Sequence, residues 1–201
     1  MKKWFIILNK TLKSKDLILI ALLTAVYITV YFVTMLLTNL LGALGHAISP
    51  GVNGLLAGTI IYFMAKKVGK FGQYTIFTGL LMGVFSLVGG GYLPWILSSL
   101  IAAILADFIA SRSKQVSTLK IAIASGIMHV GQAFGAIIPS LFFLDSYIET
   151  WVNRNQKYEA MLEYVKYTSG MWAVWSTIIV FALAVAGVYL GHSILKKHIK
   201  D

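Results

Sequence analysis

His129, Gln132 and Ser125 lie on one stretch of chain at separations of three and four residues, the spacing that gathers side chains on one helix face. The stretch is otherwise apolar, and polar groups inside a membrane segment are costly. Such groups either line a cavity or bond a neighbouring helix, and the sequence leaves both roles open. Ser-x-x-x-His also pairs a nucleophile with a base, the minimum of an intramembrane hydrolase. That chemistry needs flanking oxyanion and positioning groups, which the stretch lacks, and no His-Glu-x-x-His string or paired glutamates occur. The expectation is a protein that is not an enzyme.

A second polar group surrounds the interruption Ser49-Pro50-Gly51, with His46 and Asn53 on either side and Asn39 just upstream. Proline removes a helical hydrogen bond, so this segment is expected to be bent or re-entrant. Irregular backbone at membrane depth must line a cavity or be buried in protein. A substrate site near the outer mouth of the first two spans is one expectation, and burial within protein is the other. His46 and His129 together could bind a metal or give axial ligands to haem. Two distant histidines fall short of the three or four ligands of a usual metal site, so no metal is assigned.

Aromatic residues form the third group. Trp95, Trp151, Trp172 and Trp175, with Tyr92 and Tyr147, gather towards the outer side. They fit an interfacial aromatic belt or a stacking surface for a flat organic ligand. Arg154 and Lys157 suit an anionic group or plain solvation, and Asp107 suits local pairing near Ser111 and Arg112.

The elements that must position these groups are membrane helices. The 201-residue chain is 58% hydrophobic and 12% charged, against about a quarter charged in a globular protein. Its net charge of +10 reflects topology rather than nucleic-acid binding. Cysteine is absent, which excludes disulfides and thiol chemistry. No P-loop occurs, so transport cannot be energised by the chain's own nucleotide hydrolysis. The first apolar run is too long for a cleaved signal, and the mature chain is expected to begin at or near Met1.

Six spans are expected in a single all-α transmembrane domain, at about 17–40, 42–65, 74–88, 92–110, 119–143 and 169–195, with an outer loop over 144–168. That loop contains an amphipathic helix near 158–167. The third span is short and ends in Gly89-Gly90-Gly91. Residues 1–16 form a basic lead-in whose Trp4 to Leu8 suits the membrane surface. With the N-terminus inside, fourteen Lys and Arg fall on inner segments and only Arg154, Lys157 and Lys166 outside. Retention of Lys and Arg on the cytoplasmic side sets orientation, so both termini are expected in the cytoplasm of a bacterial cell.

Several strings carry a family resemblance. They are Ser14-Lys15-Asp16-Leu17-Ile18-Leu19-Ile20 entering the first span, Ala65-Lys66-Lys67-Val68-Gly69-Lys70-Phe71-Gly72 after the second, Ala106-Asp107 before a basic loop, and Pro139 through Asp145-Ser146-Tyr147. Over nearly its whole length the chain resembles the substrate-binding S components of energy-coupling factor (ECF) ABC transporters, in the group called Trep_Strep or MptD-like. The resemblance implies a six-helix binding subunit that captures a micronutrient from outside. It also implies docking on a membrane T component with two cytoplasmic ATPases, and toppling in the bilayer to release the solute. Ala21 and Ala25, a small-x-x-x-small pair, are similar to the motif by which many S components meet the T component.

The polar set with several tryptophans suits a flat, partly polar organic solute. Haem, with His46 or His129 as ligand, and a water-soluble vitamin are both compatible, and no intrinsic cofactor is expected. The competing readings are the intramembrane hydrolase and a scaffold subunit that transports nothing.

Overall fold

The computed structural model describes residues 11–111 and 116–198. The surface segment expected around Trp4 to Leu8, and Arg112, lie outside the described residues. Eight helices occur among them: α1 Ser14–Asn39, α2 Gly42–Lys67, α3 Gln73–Leu87, α4 Leu93–Ala110, α5 Thr118–Phe142, α6 Leu144–Val152, α7 Tyr158–Thr168 and α8 Gly170–Leu195. Five of them, α1, α2, α4, α5 and α8, are long and apolar enough to cross a membrane. The 15 residues of α3 span only about 22 Å at 1.5 Å per residue, short of a hydrocarbon core of about 30 Å. The six expected spans thus become five full-length candidates and one short apolar helix.

The five long helices and the short α3 pack as a closed ring, α1–α2–α8–α5–α4–α3, with α2 also touching α5 across the middle. The most apolar window of α5 is 72% buried and that of α1 only 22%, so α5 is a core helix and α1 a rim helix. One stripe of α1, running through Ile20, Thr24, Tyr27, Thr34 and Thr38, faces the bundle. Leu17, Ile18, Leu22 and Val26 on its other side are exposed, as a lipid-facing surface requires.

The tightest junction is between α2 and α8. A Cβ added to Gly58 would overlap the Gly187 backbone, and one added to Gly187 would overlap the Gly54 carbonyl. Small residues at such a crossing let two backbones approach closely.

The break expected at Ser49-Pro50-Gly51 does not occur: α2 is continuous from Gly42 to Lys67 with Pro50 inside it. Proline withdraws the N–H that would serve the carbonyl four residues earlier, here that of His46. The Ser49 hydroxyl donates to that carbonyl at 2.8 Å, so the helix proceeds without an orphaned acceptor.

The end of the bundle where α1 begins is tied by polar contacts. Gly72 begins α3 and has no side chain with which to cap it. Asp107 of α4 does so from outside, accepting from the Tyr74 N–H at 3.1 Å, the Thr75 N–H at 2.9 Å and the Thr75 hydroxyl at 2.7 Å. Ser111 also donates to Asp107, which is the local pairing expected there. Lys70 pairs with Asp16, and Tyr62 bonds His192 at 2.8 Å.

The loop over 144–168 is helical at both ends. Besides the expected amphipathic helix, now α7, it holds α6. Ser140 bonds Thr168 at 2.8 Å and Ser176 donates to the Tyr167 carbonyl at 2.8 Å, which pins the end of α7 to α5 and α8.

Candidate ligand cavity

At the opposite end the ring opens into a cavity of about 780 Å³. It is bounded by the last turns of α1 and α3, the first turns of α2 and α4, the upper part of α5, and the α6–α7 arm. This size falls within the range of small-molecule sites. Its wall is strongly aromatic, with Tyr31, Phe32, Phe85, Tyr92, Trp95, Tyr147, Trp151 and Tyr164. Their rings meet mostly edge to face. Phe85 lies 5.4 Å from Trp95, Tyr92 lies 5.8 Å from Trp151, and His46 lies 4.8 Å from Tyr164. Such contacts fix the rings in place and leave faces for a flat ligand.

Of the residues singled out in the sequence, Asn39, His46, Tyr92, Trp95, Gln132 and Trp151 converge on this wall. They come from five different helices, which is why no local motif announced them. The other four do not join them. Trp172 and Trp175 line a separate shallow surface pocket with Met171 and Ile179, and both are about half exposed on α8. That position is the interfacial-belt reading, because α8 turns this face outward. Asn53 and His129 are fully buried and stand behind the wall.

His129 is held on both ring nitrogens. Nδ1 lies 2.7 Å from the Ser125 carbonyl, and Nε2 lies 3.0 Å from the Tyr27 hydroxyl. Its role in the fold is the bond between helices, and it has no ring nitrogen free for a ligand. Asn53 accepts from the Thr34 hydroxyl at 3.2 Å, while its Nδ2 has no partner. Among the described residues no three His, Cys, Asp or Glu side chains converge as a metal site.

The arm over the cavity rests on an arginine for which the sequence left an anionic group or plain solvation open. Arg154 donates to the Gly89 carbonyl at 3.3 Å and lies 5.2 Å from the Trp151 ring. It thus joins the α6–α7 turn to the glycine turn after α3. Tyr147, weighed in the sequence as belt or stacking surface, belongs to the wall; Tyr164 and Ala136 were missed there, although the amphipathic period of α7 carried Tyr164 as a signal. Burial pushes the Tyr147 and Tyr164 hydroxyls above the usual tyrosine range, and nearby hydroxyls add to the effect. Both stay neutral at physiological pH and can donate as well as accept.

Ala21 and Ala25 are both exposed on the outer face of α1, and neither lines the cavity. A family model described as "Hypothetical bacterial integral membrane protein (Trep_Strep)" matches residues 14–200. No curated protein and no solved structure matched the chain.

Proposed function

The chain belongs to the Trep_Strep family of bacterial integral membrane proteins, and from that premise we propose that it is the solute-binding subunit of an ECF-type importer. The observation that carries the reading is the aromatic cavity of about 780 Å³, built by seven helices at one end of a small membrane bundle. A protein that only scaffolds others needs no such space. The ligand is a planar organic micronutrient, a vitamin or haem, stacked between Trp95, Trp151 and the tyrosines. His46 at the rim is the one of the two histidines with a ring in the cavity wall.

Binding rather than covalent chemistry fits the buried polar groups. The short contact of His129 Nδ1 with the Ser125 carbonyl requires a proton on that nitrogen. In the neutral ring Nδ1 therefore cannot accept a proton from the Ser125 hydroxyl, 3.4 Å away. His129 therefore does not serve Ser125 as a base.

In this reading the cavity faces outside, both termini face the cytoplasm, and the α6–α7 arm is a lid latched by Arg154. Delivery runs through a T component and two ATPases, with α1 as the docking face. Ala21 and Ala25 form a shallow strip there beside Leu22 and Val26, which are 61% and 52% exposed. A facing helix could approach closely along such a strip.

The test is mass spectrometry of small molecules released from protein purified in nanodiscs, native and Ala136→Trp. Ala136 lines the cavity, and tryptophan there fills it. The native protein should release one planar compound that the variant lacks. Loss of no compound on blocking would overturn the reading. Ala21→Trp with Ala25→Trp should keep the ligand yet lose uptake and co-purification with the T component; intact uptake would sink the docking face.

A further inference from the structure

The buried chain behind the cavity has a direction. A carbonyl only accepts, so the 2.7 Å contact with the Ser125 carbonyl places the proton of neutral His129 on Nδ1 and leaves Nε2 as an acceptor. The Tyr27 hydroxyl, fully buried, must then donate to Nε2 at 3.0 Å. Its oxygen is left to accept, and Gln132 Nε2 donates to it over a long 3.5 Å. An amide's two ends are told apart by such a network. Here the network turns the NH₂ of Gln132 towards Tyr27 and leaves its carbonyl oxygen pointing away from the chain.

That oxygen has no hydrogen-bond partner, although Gln132 is only 2% exposed and forms part of the cavity wall. The indole Nε1 of another wall residue, Trp151, is also buried without a close hydrogen bond, with the Tyr147 hydroxyl as its weak partner. Buried polar atoms are nearly always paired, and leaving one unpaired costs the full desolvation of the group. The wall therefore holds one unused acceptor on α5 and one weakly held donor on α6. No lysine or arginine side chain lines the cavity among the described residues, so the inner wall gives an anionic edge no counter-charge.

Resting on the reading of this cavity as a ligand site, we propose that Gln132 is its specificity-determining residue. The Tyr27–His129–Ser125 chain fixes it as an acceptor, selecting an uncharged planar heteroaromatic ligand that brings a ring N–H to α5 and an acceptor to Trp151. A site built to bond an N–H rejects the analogue lacking it, because the buried group is then left unpaired.

Lumichrome and 1,3-dimethyllumichrome test this. They are neutral fluorescent planar probes that differ only in two ring N–H groups. Titrations use full-length protein in nanodiscs, native and with Gln132→Met, Tyr27→Phe or Ala136→Trp. Native protein should bind lumichrome about tenfold more tightly than the dimethyl compound, the scale of one buried hydrogen bond. Gln132→Met should bring the two within about twofold. Tyr27→Phe, which keeps the shape but frees the amide to turn, should narrow the gap to between these two values.

Equal binding of the two probes by native protein, or binding of neither, overturns the proposal. So does a full preference retained in Gln132→Met or in Tyr27→Phe. If both probes bind equally and Ala136→Trp abolishes both, the cavity reading stands and only the Gln132 inference falls. If Ala136→Trp leaves probe binding and the released compound untouched, the cavity reading itself falls.

Discussion

The Ser49 hydroxyl stands 2.8 Å from the His46 carbonyl, the acceptor that Pro50 deprives of its helical donor. This contact lets α2 carry His46 and Ser49 into the cavity wall on one continuous helix. Ser49→Ala should therefore destabilise the protein by about 1 kcal/mol, the net value of a hydrogen bond of this kind. In a Pro50→Ala background the same change should cost almost nothing, since the new backbone N–H serves the carbonyl. Unfolding midpoints in one detergent measure the cycle, and equal costs in both backgrounds would refute the substitution of one donor by another.

The α2–α8 crossing makes a prediction by contrast. Gly58→Ala forces a methyl into the Gly187 backbone and should cost about 1–3 kcal/mol through overpacking. Gly79→Ala, also within a helix, meets nothing within 4 Å. It should be neutral or stabilising by up to about 1 kcal/mol, because alanine is the better helix former. Thermal unfolding of the two variants side by side decides the matter, and similar losses would show that close approach is not what the glycine supplies.

These two helices also show what could be read from residues alone. Helix limits were legible because hydropathy and basic termini mark where a segment leaves the membrane, and α8 ends at Lys196-Lys197 as that logic requires. The cavity wall was legible in part, as polar and aromatic residues near helix ends on one side. Depth was not. His129 and Gln132 are three residues apart on α5, yet one lies behind the wall and the other within it, since their facing depends on where α1 presents Tyr27. Likewise Trp172 and Trp175 have the composition of a binding wall, but the rotation of α8 about its contact with α2 turns them outward. Pro50 was misread because the rescue of the His46 carbonyl by a neighbouring hydroxyl is a matter of rotamer, which residue type alone does not fix.

The tyrosines of the arm set a pH window. Burial raises the Tyr147 and Tyr164 hydroxyls above the usual value near 10, so the folded protein keeps protons there that the unfolded chain loses. Where the native state binds more protons, stability falls as pH rises. The protein should be equally stable from pH 6 to 9 on this account and lose stability above about 10, with Tyr147→Phe flattening the loss. Melting temperature against pH, native and variant, reads this directly. An unchanged slope in the variant would mean that other groups govern alkaline unfolding.

Arg154 links the arm to the glycine turn through one charged hydrogen bond and one ring contact, both on an exposed side chain. Contacts of this strength do not hold the fold together, but they suffice to bias a lid between closed and open positions. At about 0.5–1 kcal/mol for the exposed cation–π contact, Arg154→Ala should raise the rate of ligand release about two- to fivefold. In the proposed lid, entry requires the same latch to open, so association should also quicken, and affinity should change less than either rate. Arg154→Lys retains the charge but not the planar contact with Trp151, and should fall between the two. Stopped-flow tryptophan quenching with lumichrome gives both rates, since Trp95 and Trp151 line the cavity. Release and association rates that match the native protein in Arg154→Ala would show that the arm does not gate the site. A large loss of affinity with an unchanged association rate would instead make Arg154 a direct ligand contact.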